Sequence, residues 1–277
     1  VNGTVFIDGI ALWTPALPGW QHARCALRGE RVTVEPVARP SPPLLAANER
    51  RRAPDSVLVA LQVAQAAVAQ AGLDAATLAS VFTSAHGDLA IVDTLCSTLA
   101  REPMLLSPTR FHHSVHNAAS GYWAIATGCR AASSAVAGYL HSFASGWLEA
   151  ASQVAADGEP VLLAGVDTEA RGALASVNRS RGLLGVALVL SPRVSERSLW
   201  RVESRLQAGP APAAVLHSAA AQALADNAMA DALPLFEALA AAPDGAPTAV
   251  RLSLGPNLHL DLALTRLLSV DDSRAGA

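Results

Sequence analysis

Cysteine is scarce in this 277-residue chain. Cys25, Cys96 and Cys129 are odd in number and scattered, and no Cys-x-x-Cys pair occurs, which disfavours a disulfide framework and a zinc ribbon alike. Excess positive charge is missing too: Lys plus Arg is 20 against 23 Asp plus Glu, a net charge of -3, so nothing favours wrapping nucleic acid. No stretch of membrane-spanning length is free of charge or glutamine, because Arg130 and Gln62, Gln65 and Gln70 interrupt the best candidates, and no membrane span is expected. The opening residues, Val1 to Asp8, alternate like a strand and show no basic region followed by an apolar stretch, so no signal peptide is expected. A Gly-x-Ser-x-Gly turn between strand and helix is also lacking, which argues against a Ser-His-Asp hydrolase. These absences lead to the expectation of a soluble cytoplasmic protein.

Apolar residues are plentiful at 51%, enough for one large core without disulfides or metals. Val5, Ile7 and Leu12 predict an opening strand, and the Pro- and Gly-rich residues 13–48 predict mostly loop. Pro54 suits a first helical position, Val57, Leu61, Ala64 and Val68 recur at helical spacing, and Gly72 ends that helix. Ser80 to Ser84 reads as a buried strand, and Val92, Leu95, Cys96 and Leu99 fall on one face of a following helix. Next come a helix over 117–128, a strand from Ser133 to Tyr139, and a long helix with Phe143, Trp147, Ala150 and Val154 as its buried stripe. Strands are expected at 160–165, 183–190, 199–206, 248–254 and 258–264, with Ala-rich helices over 213–226 and 229–241. Alternating strands and helices predict an α/β layered fold.

The segment from Leu106 to Gly121, with Ser107-Pro108 and Asn117-Ala118-Ala119-Ser120-Gly121, resembles the approach to the active site in β-ketoacyl synthases. In that family a helix, a turn and a buried strand then lead to a nucleophilic cysteine. Residues 118–139 keep this order and length, Leu163-Ala164-Gly165 looks like the family's Ala-Gly-Gly strand end, and Gly182 to Leu190 resembles its Gly-rich strand. The chain is still more similar to the short ketoacyl-synthase-like, chain-length-factor-type proteins of bacterial aryl-polyene pathways, in Gly9-Ile10, Leu17-Pro18-Gly19-Trp20, Arg50-Arg51-Arg52 and the stretch from His116 to Trp123. The resemblance implies a reduced thiolase-like α-β-α layered fold with a mixed sheet. It also implies a single domain, with residues 1–190 as a largely kept N-terminal half and 191–277 as an abbreviated C-terminal part.

The same resemblance implies that the catalytic apparatus is gone. Counting forward from Asn117 and backward from Ala164-Gly165 places Leu140 where the family keeps its thiolate, and leucine cannot attack a thioester. The family's two C-terminal histidines have no convincing counterpart, since His217 lies in a helix-like context without the matching glycines and His259 only faintly echoes the pattern. No catalytic residue and no cofactor are therefore expected. The implied role is that of a chain-length-factor-type partner forming a heterodimer with an active ketosynthase, served by an acyl carrier protein. In this superfamily the strand before the nucleophile pairs across the dimer, so Ser133, Ser134, Ala135, Val136, Ala137 and Gly138, with Asn117, are the expected partner interface. Phe111, Tyr122, Trp123, Leu140 and Phe143 are the expected bulky side chains bounding the acyl tunnel.

Two rival readings stand beside it. Val92-Asp93-Thr94-Leu95-Cys96-Ser97 looks like the active-site string of modular polyketide synthases and would make the chain a self-sufficient condensing enzyme or acyltransferase. However, Cys96 comes only a few residues after the strand ending at Ser84, and its place on the apolar stripe predicts a packed core thiol. The run Arg50 to Arg52 could instead dock an acidic carrier protein, or simply be a solvated helix start. His86, His112, His113 and His116 have no acidic residue among them, and no metal is expected there.

Overall fold

The computed structural model describes residues 2–241 and 245–267, so the last ten residues of the expected C-terminal part lie outside the described residues. The chain enters through β1 (Gly3–Thr14) and the short β2 (Leu17–Pro18), then α1 (Trp20–Leu27), α2 (Ala47–Arg52) and α3 (Asp55–Ala71). It continues through β3 (Ala79–Thr83), α4 (Leu89–Arg101), α5 (Pro108–Ser114), α6 (Ala118–Thr127), β4 (Ser133–Val136) and α7 (Ser142–Asp157). After β5 (Val161–Asp167), β6 (Leu184–Ser191) and β7 (Trp200–Ala208) come α8 (Ala219–Ala223), α9 (Leu233–Ala241), β8 (Thr248–Gly255) and β9 (Leu258–Arg266).

All nine described strands join one mixed sheet in the order β4-β3-β5-β6-β1-β7-β9-β8, with β2 paired to β1. The parallel pairs, β3 with β4 and β3 with β5, each span a helical crossover, whereas β5, β6, β1, β7, β9 and β8 pair antiparallel in turn. Strands β5 and β6 are buried throughout. Their continuous apolar runs fit strands covered on both faces.

Helix α3 forms because its apolar positions repeat at helical spacing with no helix-breaking glycine, and Gly72 at φ 66 then closes it with the left-handed turn that glycine tolerates. Pro54 stands one position earlier than the sequence suggests, as the N-cap rather than the first helical residue. Helix α3, with Trp123 of α6, covers one face of the sheet in a cluster that includes Leu58, Leu61, Leu162, Ala187 and Val189. Gly9 permits the close approach, since a Cβ there would overlap the Ala67 carbonyl oxygen. The other face carries α7, α1 and α9. Phe143, Trp147, Ala150 and Val154 of α7 are fully buried as the stripe predicts, each large side chain contributing roughly 1.5–3 kcal/mol. Trp147 Nε1 donates to Ser204 Oγ at 3.2 Å, tying α7 to β7 inside the core.

Beyond β1 the sheet keeps helices on one face only. Along β7 the residues alternate buried and accessible, with Val202 and Ser204 inward and Arg201, Glu203 and Arg205 outward. That period-2 pattern is what a half-exposed strand requires. The layering is therefore α-β-α over the first half and two-layered over β7-β9-β8.

The structure corrects the sequence at several points. Residues 13–48 are mostly loop as expected, but α1 interrupts them, burying Ala23 and Leu27 and setting Trp20 edge-on to Phe236 at 5.8 Å. The Ala-rich stretch 213–226 forms only the five-residue α8, capped by Ser218, and the stretch after it opens with a turn of 3-10 helix before α9. High alanine content favours helix locally, but Pro210 and Pro212 precede the segment and Asn227 interrupts it with tertiary hydrogen bonds. Cys96 is exposed rather than packed. Among the described residues no layer covers the stripe it shares with Leu99, because α4 packs mainly against α5 and two short 3-10 turns.

Candidate functional site

Strand β4 ends the sheet and, among the described residues, pairs with β3 alone. It is shorter than expected, stopping at Val136, because Gly138 and then Tyr139 turn the chain into α7. Tyr139 has φ 53, the single non-glycine residue with positive φ among the described residues. Such a backbone costs a bulky side chain about 1–3 kcal/mol and persists only where its surroundings enforce it. Here Ser142 does so: its hydroxyl accepts from the Gly138 N–H at 3.0 Å and donates to the Tyr139 carbonyl at 2.8 Å. Thr83 Oγ1, at the end of β3, donates to the Ser142 carbonyl at 2.7 Å. A Cβ on Gly138 would collide with Ser145 Oγ and the His141 carbonyl, so this residue must be small.

The elbow thus places Tyr139 at its strained position and Leu140 one residue on, and both side chains are more than half exposed. The Tyr139 ring meets His86 edge-on at 5.5 Å. The loop beneath is held by Asp167 at the end of β5, which accepts from Ser84 Oγ (2.7 Å) and from the N–H groups of Ala85 (2.9 Å) and His86 (3.2 Å). Burial raises the Asp167 carboxyl to about 6 against the pull of those hydrogen bonds, and burial lowers His86.

Behind the elbow, the first turn of α7 has no side-chain cap of its own. Its free donors are taken by Asp231, whose Oδ2 accepts from Phe143 N at 2.9 Å and Ala144 N at 3.4 Å. The positive end of the helix dipole, where an ionised nucleophile would be stabilised, is occupied by this carboxylate. Asp231 Oδ1 is enclosed and has no partner among the described residues. Burial raises the carboxyl to about 7, opposed by the two backbone bonds. Asn227 fastens the same segment, donating to the carbonyls of Arg181 (2.9 Å), Asp167 (3.3 Å) and Gly182 (3.3 Å). Sequence reasoning missed both residues, since an aspartate 88 positions from its partner in an alanine-rich stretch carries no local signal.

The expected tunnel residues fall into two groups. Phe111, Tyr122 and Leu140 reach the surface, whereas Trp123 packs against Phe82 and Phe143 against Phe236, both fully buried. Tyr122 is half-buried, its hydroxyl 2.8 Å from His113 Nε2. It lines a groove of about 490 Å³ with Leu44, Leu45, Val115, Asn117 and Ile125. Helices α4, α5 and α6 pack in series, and α6 packs on β4. Along them lie exposed Leu99, Met104 (93% exposed), Leu105, Phe111 and Ile125 (83%). So many large apolar side chains on one side of a protein mark a contact surface.

Other candidates do not converge on the elbow. His259 is buried on β9 with Nδ1 2.9 Å from the Gly209 carbonyl. His217 precedes α8, and its N–H donates to Glu237. His112 and His116 stand four residues apart, but α5 ends at Ser114, and His116 Nε2 donates to the Ser84 carbonyl at 2.9 Å. Among the described residues no group of three or more His, Cys, Asp or Glu side chains is placed to hold a metal, and no helix is long and apolar enough to cross a membrane. Arg50 donates to the Pro42 carbonyl, while Arg51 and Arg52 extend into solvent.

Comparison with known proteins places this geometry. A ketosynthase (ApeO) complex with its chain length factor (ApeC) from Xenorhabdus doucetiae contains a chain that superposes with TM-score 0.69 at 20% identity, covering 94% of this chain and 99% of that one. The ishigamide ketosynthase/chain length factor gives 0.68 at 19%, covering 96% and 100%. A β-ketoacyl synthase from Burkholderia phymatum gives 0.64 at 11%, covering 96% and 100%. At these identities the likeness establishes the thiolase-like fold. No curated protein sequence matched the chain. Residues 21–251 match the family model described as the β-ketoacyl synthase N-terminal domain, and the chain belongs to that family.

Proposed function

We propose that the chain is a non-catalytic, chain-length-factor-type subunit that pairs with an active β-ketoacyl synthase and bounds its acyl tunnel in polyene or fatty-acid-like biosynthesis. The observation that carries this reading is the open β4 edge leading into an elbow of Tyr139 and Leu140, with no thiol there and Asp231 already on the helix donors. The complexes similar to it include two ketosynthase–chain length factor assemblies, which supports the assignment of partner. The partner edge is residues 133–138 with Asn117 at the flank. Phe111, Tyr122 and Leu140 limit the chain from the surface, while Trp123 and Phe143 set the backbone behind them. An acyl carrier protein delivers substrate to the partner, and the complex works in the cytoplasm.

Co-expression with a ketosynthase from the same gene neighbourhood is expected to yield a 1:1 heterodimer, with condensation requiring both chains. Leu140→Ala is expected to lengthen the product by at least one extension unit with little change in heterodimer affinity, read by mass spectrometry of the released acids. An unchanged product length would remove Leu140 from the tunnel. Exposed Cys96 keeps the self-sufficient enzyme as the second reading. Cys96→Ser should leave condensation by the heterodimer intact, and stable acylation of Cys96 in the isolated chain would favour that rival.

A further inference from the structure

Among the described residues the sheet has a second open end. Strand β8 pairs only with β9, and among the described residues no backbone hydrogen bond reaches Thr248 to Leu254 from any other element. Proteins ordinarily blunt such an edge with proline, lysine, a bulge or a very short strand. Strand β8 is eight residues long, about 26 Å, without proline or lysine, and its register shift falls at the far end between Ser253 and Gly255. Only Arg251 supplies an edge charge.

Two grooves flank this edge, one on each face of the sheet, and both are lined by Ala249, Val250 and Arg251. The inner groove, about 530 Å³, is largely apolar, walled by Leu27, Pro212, Val215, Pro234 and Ala238. The outer one, about 450 Å³, is charged, with Glu203, Arg205, Gln207 and Asp261. A strand laid along β8 would direct successive side chains alternately into the two.

The charges specify the outer position. In register, Arg205 and Arg251 flank Asp261 on neighbouring strands. Arg251 Nε holds Asp261 Oδ1 at 2.6 Å, and its two Nη groups have no partner among the described residues. Glu203 is engaged by Arg201 at 2.9 Å, so two guanidinium groups face one carboxylate. An incoming carboxylate beside Arg251 would complete the pairing with charge-assisted hydrogen bonds.

We propose that β8 is a docking edge that takes, by strand addition, an extended segment of a partner protein with apolar residues at alternate positions and an acidic residue between them facing Arg251. This inference does not rest on pairing along β4, which lies at the other end of the strand order, although β8 passes beside the Tyr139–His141 turn.

The test uses the full chain and a fluorescein-labelled, acetylated octapeptide in which valine and glutamate alternate. Fluorescence anisotropy should report saturable binding, and hydrogen exchange should show new protection confined to residues 248–253. Arg251→Glu should weaken binding at least tenfold and favour the valine–lysine peptide, with a melting curve confirming that the variant is folded. Methylating alternate backbone nitrogens of the peptide should abolish binding to the unaltered protein. Saturable binding that survives methylation, protection elsewhere, or no binding at millimolar peptide would each overturn the proposal. Protection of 248–253 that grows with protein concentration in the absence of peptide would assign the edge to a second copy and overturn it too.

Discussion

Asp231→Asn is expected to raise the unfolding free energy at pH 8 by up to about 4 kcal/mol while leaving it nearly unchanged at pH 4. In the folded protein the Asp231 carboxyl is raised from 3.8 to about 7, chiefly by burial. Between those values the native state holds a proton that the unfolded chain releases. The group's contribution is therefore fully present below about pH 4, declines as pH rises through 7, and is level above it. Asparagine keeps an oxygen to accept from Phe143 and Ala144 and cannot ionise. Its side chain has nearly the size and shape of the carboxyl it replaces, so the two backbone bonds can be kept. Asp167, raised to about 6, shares the same sign and nearby space, so the variant should retain a smaller pH dependence ending near pH 6. Urea titrations at pH 4, 6 and 8 measure the whole profile. A variant less stable than the parent at pH 8 would show that the ionised cap on α7 outweighs its burial. Asp231→Ala lacks the acceptor altogether and should cost about 1–3 kcal/mol at pH 5.

Ala135→Pro is expected to weaken association with the ketosynthase at least a hundredfold, about 3 kcal/mol, while the isolated chain stays folded. The direction of each β4 peptide follows from two bonds: the carbonyls of Ala132 and Val136 accept from Ser80 N at 3.0 Å and Ser84 N at 3.3 Å. Alternate residues of the strand therefore turn their backbone toward β3, and residues 133 and 135 turn theirs to the open side. Proline at 135 removes one outward N–H without breaking the ladder to β3, and edge positions accept its fixed φ. Isothermal titration calorimetry of the two purified subunits reads the loss, and a melting curve of the variant reads the fold. Unimpaired binding would show that the partner does not pair along β4.

The sequence made most elements visible where apolar spacing was regular. The α7 stripe, the buried β5 and β6, and the left-handed end of α3 at Gly72 were all legible, because each depends on contacts or conformations repeated every two to four residues. Cys96 misled for the same reason. Its helical face is apolar, yet none of the described residues covers it, and periodicity reports what a face is made of rather than what lies opposite. Alanine in the stretch 213–226 favoured helix in the abstract and lost to the hydrogen bonds of Asn227 and the prolines before it.

The elbow divides along the same line. The absence of a thiol at Leu140, and the β4-to-α7 order around it, were determined by the sequence, since residue identity and spacing suffice for both. Only the tertiary structure decided that the backbone strain sits at Tyr139, that Ser142 and Gly138 hold it, and that Asp231 closes the helix end. Those facts depend on the sheet curling around α7 until residues 88 positions apart come within hydrogen-bonding distance, and no local pattern encodes such a meeting.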